Sequence, residues 1–236
     1  MPNPCGPYPG RQLFLGVTRE SNPFMVYLVT GRSLESRQRK ALKIDNTVRI
    51  GPLGDVPYDP LRHYNAVKYD DISGVLAVSN GIQTEALYET YRLLFNVNAS
   101  PGEEFMKLIM EGAGAEPDSL HTPRIAGVIV PGKVKPAFIM GIKNFNSSAA
   151  VYRVNPVAGN MMGISTYTGS LETPVPTPGD TALPMVEFKG KTAEDAAAYV
   201  YDMSAASYKG EDIRVCAVGC VFMGNRWDVA IINKYA

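Results

Sequence analysis

Apolar residues in this chain come in short runs, continuous or alternating with polar ones, and Gly, Pro, Asn or Asp closes each run within a few positions. That pattern is the signature of strands. It predicts strands over 12–17, 24–30, 47–50, 66–69, 74–79, 124–130, 137–142, 149–154, 163–167, 185–188, 213–222 and 227–233. Helical periodicity replaces it in three places. From about Thr84 to Phe95, the residues Leu87, Tyr91, Leu94 and Phe95 share one face. Ser100-Pro101-Gly102-Glu103 supplies an N-cap, a proline at the first helical position and a Glu at the third, opening a helix that Gly112 and Gly114 stop. A third helix runs from Thr192 to about Tyr208 behind a Thr-x-x-Asp cap, with Ala196, Val200, Met203 and Ser207 small enough to lie close on a sheet.

Strands so outnumber helices that the helices cannot cover both faces of one large sheet. Two sheets stacked face to face, with helices outside, bury more apolar surface. The fold class expected is α+β, as a four-layered α/β/β/α sandwich, and 236 residues fit one domain over 1–236. Residues 172–180, rich in proline, read as an extended surface loop.

Composition narrows the function. Lys+Arg and Asp+Glu both number 23, so no net field holds a nucleic-acid backbone or an anionic membrane surface. No apolar run approaches the roughly 20 residues of a membrane helix, and Met1-Pro2-Asn3-Pro4-Cys5-Gly6 has neither the basic nor the apolar region of a signal peptide. We expect no nucleic acid and no membrane as partners, and a cytoplasmic location. The odd set Cys5, Cys216 and Cys220 makes no disulfide framework. Cys216 and Cys220 would share a strand face, where metal ligation is conceivable but burial as small hydrophobes is the expectation.

Polar residues at the ends of the apolar runs carry the candidate chemistry. Arg11 follows the turn Tyr8-Pro9-Gly10 and precedes an apolar stretch, so a guanidinium stands at a strand's beginning. Arg32 follows the next strand in the same way, with Arg37, Arg39 and Lys40 close behind as a basic run that a solvated loop would also explain. At Ser79-Asn80-Gly81 a strand ends and a helix begins, a turn whose N–H groups and dipole suit an anion. Thr84 and Glu85 lie in that helix's first turn, where capping and a favourable dipole contact are their plainer roles. Tyr64-Asn65 and Thr122-Pro123-Arg124 each lead a loop into a strand.

Taken in order, Tyr8-Pro9-Gly10-Arg11, Arg32-Ser33, Tyr64-Asn65, Val78-Ser79-Asn80-Gly81 with Thr84-Glu85, and Thr122-Pro123-Arg124-Ile125-Ala126 resemble the archaeal-type IMP cyclohydrolase family over roughly residues 8 to 130. The resemblance implies the last step of purine synthesis, in which 5-formamidoimidazole-4-carboxamide ribonucleotide closes its ring and loses water to give inosine monophosphate. It also implies a fold like that of the N-terminal nucleophile hydrolases without their nucleophile, no metal or organic cofactor, a purine ribonucleotide as the bound partner, and leaves a homo-oligomer open. The chain departs from the family pattern in an N-terminal extension, in Ala66 at an expected cysteine, in Glu85 at an expected Asp, and in an expanded region 141–188.

The implied reaction asks for near-attack geometry and for charge stabilisation on the formyl oxygen. Arg11 and Arg32 are the expected phosphate or oxyanion ligands, with Arg124 a third. Glu85 and Tyr64 are the expected proton-transfer pair, Asn65 orients an amide or formyl oxygen, and Asn80, Gly81 and Thr84 contact the nucleotide. Two rivals differ in class. One is an N-terminal nucleophile amidohydrolase using Cys5; the other is a non-catalytic purine-nucleotide-binding protein.

Overall fold

The computed structural model describes residues 3–235. In chain order its elements are β1 (Arg11–Val17), β2 (Pro23–Thr30), α1 (Leu34–Arg37), β3 (Arg39–Ile44), β4 (Thr47–Pro52), β5 (Tyr64–Tyr69), β6 (Leu76–Ser79), α2 (Gln83–Asn96) and α3 (Glu103–Ala113). There follow β7 (Arg124–Val130), β8 (Ala137–Lys143), β9 (Ala150–Val154), β10 (Asn160–Ser165), β11 (Tyr167–Gly169), β12 (Pro174–Pro176), β13 (Met185–Glu187), α4 (Ala193–Met203), β14 (Ser207–Tyr208), β15 (Glu211–Asp212), β16 (Arg214–Phe222) and β17 (Trp227–Asn233). A six-stranded sheet runs β13-β10-β1-β2-β16-β17, and a seven-stranded sheet runs from β3 to β9 in sequence order. Neighbouring strands pair antiparallel in both. The class is α+β, with mostly antiparallel sheets and few helices.

The period of two explains how these sheets pack. Met25, Tyr27 and Val29 of β2 point to one face and join Leu13 and Leu15 of β1 and Ile125 and Ile129 of β7 in a cluster drawn from both sheets. Phe24, Val26 and Leu28 point the other way, against Ala193, Ala196, Ala197 and Val200 of α4. In the second sheet Ala126, Val128 and Val130 of β7 turn outward to Leu87 and Tyr91 of α2 and Met106 and Met110 of α3. Strands covered on both faces need apolar residues at every position, which is why their runs are continuous. Each fully buried Leu or Phe contributes roughly 1.5–3 kcal/mol. The small residues of α4 serve close approach: a Cβ at Gly219 of β16 would strike the Ala193 and Ala197 backbone.

Several boundaries differ from the sequence expectation, each for a tertiary reason. The first turn of α3 is capped by Gly102 in extended backbone, with no side-chain cap, so Ser100 and Pro101 lie outside the helix. The Gly102 carbonyl instead accepts from Tyr91 Oη at 2.8 Å. Helix α4 stops at Met203, where Ser204 turns its hydroxyl back onto the Tyr201 carbonyl at 2.8 Å, and Ser207-Tyr208 enters a hairpin. Of the basic run, Arg37 ends α1 while Arg39 and Lys40 open strand β3, which is paired throughout with β4 and tied to β17 by Ala41 and Asn233, which exchange bonds of 2.8 and 3.0 Å. Within the proline-rich stretch, β12 pairs with β11. Among the described residues, no helix is long and apolar enough to cross a membrane.

Candidate active site

At one end of the two sheets a buried carboxylate gathers three of the polar residues that close the apolar runs. Gly10, at φ 65° and pressed against Thr166, delivers Arg11 to the start of β1. Glu116, from the loop after α3, accepts from Arg11 Nη2, from Arg124 Nη1 at 3.2 Å and from Asn80 Nδ2 at 3.1 Å. Asn80 also donates to the Pro123 carbonyl at 2.9 Å and accepts from the Ile125 N–H at 2.8 Å, so it clamps the end of β6 to the start of β7. Gly81 is glycine because a Cβ there would run into the Arg124 guanidinium. The buried Arg124 guanidinium and the largely buried Arg11 one thus share one buried carboxylate, and among the described residues the Nε atoms of Arg11 and Arg124 have no hydrogen-bond partner. Burial works against the charge on both. For Arg11 the Glu116 carboxylate outweighs that penalty and holds its pKa above the ordinary value, whereas for Arg124 burial prevails and the pKa is lowered.

Arg11 forms part of the wall of a cleft of about 650 Å³ whose charged lining is Arg11, Arg32, Arg39, Arg62 and Lys209 against Asp59, Glu116 and Asp118. Five cations and three carboxylates leave two positive charges uncompensated. Arg32 donates to the Leu171 and Glu172 carbonyls at 2.7 and 3.2 Å, and its guanidinium lies over the rings of Tyr8 and Tyr208. Arg39, buried at the start of β3, is fixed by a 2.7 Å bond to the Ser36 carbonyl.

A second cleft of about 420 Å³ adjoins across the 58–63 segment and is lined by Arg49, Tyr58, Pro60, His63, Tyr64, Asn65, Gly81, Ile82, Thr84 and Glu85. Its geometry comes from a bulge in β5. Arg49 and Val48 of β4 face Asn65 and Val67, so Ala66 is the extra residue. In a regular strand Asn65 and Lys68, three apart, would point to opposite faces; the bulge re-aims them to one side. Both then reach Glu85, Asn65 Nδ2 at 2.5 Å and Lys68 Nζ at 2.8 Å. Arg49 Nε completes the chain by donating to Asn65 Oδ1 at 2.9 Å. Partial burial pushes the Glu85 pKa up, but the Lys68 and Asn65 hydrogen bonds outweigh it, and the carboxyl sits below its usual range. Tyr64 is pushed the other way by burial, against the pull of Arg11 and Arg39, and stays a neutral phenol at pH 7. Its hydroxyl meets that of Tyr27 at 2.8 Å.

The residues singled out in the sequence therefore divide three ways. Arg11 and Arg32 line the basic cleft, and Tyr64, Asn65, Gly81, Thr84 and Glu85 line the second. Asn80 and Arg124 line neither and sit behind both, bonded to Glu116. Thr84 is buried, with its hydroxyl 2.5 Å from that of Ser79 rather than capping α2. Sequence reasoning missed Glu116, which follows the helix-stopping Gly114 with no periodic signal, and Lys68, whose partner becomes visible only once the bulge is known. Cys216 and Cys220 are core residues of β16, and burial drives both thiols up, Cys216 to about 12. Cys5 is buried beside an apolar cavity of about 250 Å³ that shares no lining residue with either cleft, its thiol raised to about 11 by burial.

Comparison with known proteins matches residues 8–226 to a family described as IMP cyclohydrolase-like protein. A protein of Methanococcus maripaludis named IMP cyclohydrolase is 30% identical over 83% of this chain and 88% of its own length. One of Methanocaldococcus jannaschii with the same name is 34% identical over 52% of this chain and 56% of its own. A third, from Methanocella arvoryzae and also named IMP cyclohydrolase, is 26% identical over 96% of this chain and 98% of its own. The likeness extends well past residue 130, where the recognisable motifs end.

Proposed function

From the premise that this chain belongs to the IMP cyclohydrolase-like family, we propose that it is an IMP cyclohydrolase of purine biosynthesis, closing 5-formamidoimidazole-4-carboxamide ribonucleotide to inosine monophosphate. One observation carries the assignment of the site: a cleft with two uncompensated positive charges adjoins one that holds a neutral phenol, an amide and an ionised carboxylate. A nucleotide offers that same division, an anionic phosphate at one end and neutral reacting groups at the other.

In the reaction the carboxamide nitrogen attacks the formyl carbon, a C–N bond forms, and the formyl oxygen leaves as water with two protons that began on nitrogen. Arg32 and Arg39 hold the phosphate in the basic cleft, where a guanidinium fork gives parallel charge-assisted bonds. Arg11, backed by Glu116 and Arg124, sets a positive potential where negative charge grows on the formyl oxygen. Glu85, ionised at pH 7, receives a proton from nitrogen, and Tyr64, still protonated, delivers one to oxygen. Asn65, held between Arg49 and Glu85, orients the carboxamide. Asn80, Gly81 and Thr84 shape the wall behind the nucleotide.

The shared cluster between the sheets, with α4 outside one and α2 and α3 outside the other, supports a single domain of four layers resembling the N-terminal nucleophile hydrolases. We place the protein in the cytoplasm. The buried, weakly acidic Cys5 disfavours its use as a nucleophile. Formation of inosine monophosphate from the formylated ribonucleotide by the purified chain tests the reaction, and absence of turnover with retained nucleotide binding would convert the assignment to a non-catalytic binder.

A further inference from the structure

We propose that Lys209, at the tip of the β14–β15 hairpin, is a ligand of the substrate's phosphate, so that the second half of the chain completes the subsite Arg32 and Arg39 begin. This rests on the cyclohydrolase reading for the identity of the substrate, not for the presence of an anion. Pairing of Tyr208 with Glu211 leaves Lys209-Gly210 as a two-residue turn, with φ 52° and 81°. Positive φ at both central positions defines the mirror-image turn that Asn-Gly, Asp-Gly or Gly-Gly fill at least cost. Lysine is a poor choice there by backbone preference, and an observed departure of this kind is a pointer to function.

The surroundings say what the lysine could do. Its ammonium lies 5.4 Å from the centre of the Tyr208 ring, and the Arg32 guanidinium lies 5.6 Å from the same ring. One aromatic side chain therefore holds two cations at the mouth of one cleft. Among the described residues neither cation makes an ion pair: Arg32 bonds only to main-chain carbonyls, and no carboxylate reaches Lys209. Of the other cations of the cleft, Arg11 is matched with Glu116 and Arg62 with Asp59 at 3.4 Å, whereas Arg39 bonds the Ser36 carbonyl and stays available to the same anion. Like charges left together repel unless an anion lies between them. A phosphate monoester carries about two negative charges at pH 7, which equals the uncompensated charge of the lining.

The test is Lys209→Asn, which removes the cation and suits the turn, with Lys209→Arg as the charge-restoring control. We expect the urea midpoint of Lys209→Asn to equal or exceed that of the parent. Its KM for the formylated ribonucleotide should rise about 10- to 100-fold, with the loss carried by KM rather than kcat. Calorimetry should show inosine monophosphate binding weakened by the same factor and inosine binding unchanged, and Lys209→Arg should recover most of the loss. Unchanged affinity for inosine monophosphate, or equal weakening of inosine, overturns the proposal. A parent chain that fails to cyclise overturns the function instead, because the calorimetric comparison of nucleotide with nucleoside still reads Lys209 directly.

Discussion

The two clefts adjoin along residues 58–63, with Asp59, Leu61 and Arg62 lining one and Tyr58, Pro60 and His63 the other, and they are built on opposite electrostatic plans. The basic cleft gathers charge and leaves part of it unpaired, whereas in the second cleft Arg49, Glu85 and the neighbouring Lys68 are linked in one hydrogen-bonded chain and the remaining side chains are phenol, amide, hydroxyl, the His63 imidazole and the apolar Pro60 and Ile82. Unpaired charge attracts a fixed anion, which gives binding that is the same before and during reaction. Compensated, positioned groups bind little and act when protons move. Between them the Arg11–Glu116–Arg124 cluster serves both, because it fixes a guanidinium of one cleft and packs behind the wall of the other.

If that shared cluster is the foundation, Glu116→Gln should have the largest effect. It leaves the buried Arg124 guanidinium and the largely buried Arg11 one without a counter-charge, a loss of about 3–5 kcal/mol, read as a fall in the urea midpoint with both functions impaired. The control Glu20→Gln, on an exposed pair with Lys191, should move stability by no more than about 0.5 kcal/mol. Loss of activity at unchanged stability in Glu116→Gln would show that the carboxylate is not structural.

The contrast between clefts makes opposite kinetic demands. Tyr64→Phe should lower kcat by about 10²–10⁴-fold with folding intact. Arg32→Ala should raise KM about 10- to 100-fold and spare kcat more. Steady-state kinetics on both variants decides this, and an exchange of the two patterns would reverse the roles given to the clefts.

How much of this the sequence revealed depends on range. Strands β7 and β17 were legible to the residue, and β1, β2 and β16 nearly so, because residues packed on both faces of a strand write themselves as continuous apolar runs. The basic stretch at 39–44 was not, since its alternation of buried Arg39 and Ala41 with charged neighbours looks like a solvated loop until Asn233 of β17 is seen to bond it. The same limit applies to the site. Arg11, Arg32, Tyr64 and Glu85 could be named from turns and strand ends, but the pairing of Arg11 with Glu116 spans 105 residues. No local pattern encodes it. The bulge at Ala66 was invisible for a related reason: it depends on the register with β4.

A subtler effect comes from Lys68, which faces Glu85 together with Asn65 and Glu89. Glu85 is lowered because the Lys68 and Asn65 bonds outweigh burial. Lys68→Met leaves burial and the neighbouring Glu89 charge, both of which raise the pKa. The acid limb of the kcat–pH profile should therefore move to higher pH, with the KM of the basic cleft unaltered. An unmoved limb would remove Glu85 from the proton-transfer pair.

The smallest effect expected concerns the divider itself. Asp59 donates its N–H to His63 Nδ1 at 2.8 Å, so the neutral ring keeps its proton on Nε2 and closes the 58–63 segment between the clefts. Burial and the nearby Arg39 and Arg62 lower the His63 pKa below its ordinary 6.5, with Asp59 opposing them. The unfolded chain then binds more protons in that window, so this contribution to stability is complete above the unfolded pKa and is lost as pH falls through the folded one. His63→Gln keeps an amide oxygen able to accept from Asp59 but cannot titrate, and it should flatten the acid slope of the urea midpoint. Because the segment borders both clefts, protonation of His63 should raise KM and lower kcat together, unlike any variant within one cleft. An acid slope identical in His63→Gln and the parent would mean that the clefts are held apart by something other than this ring.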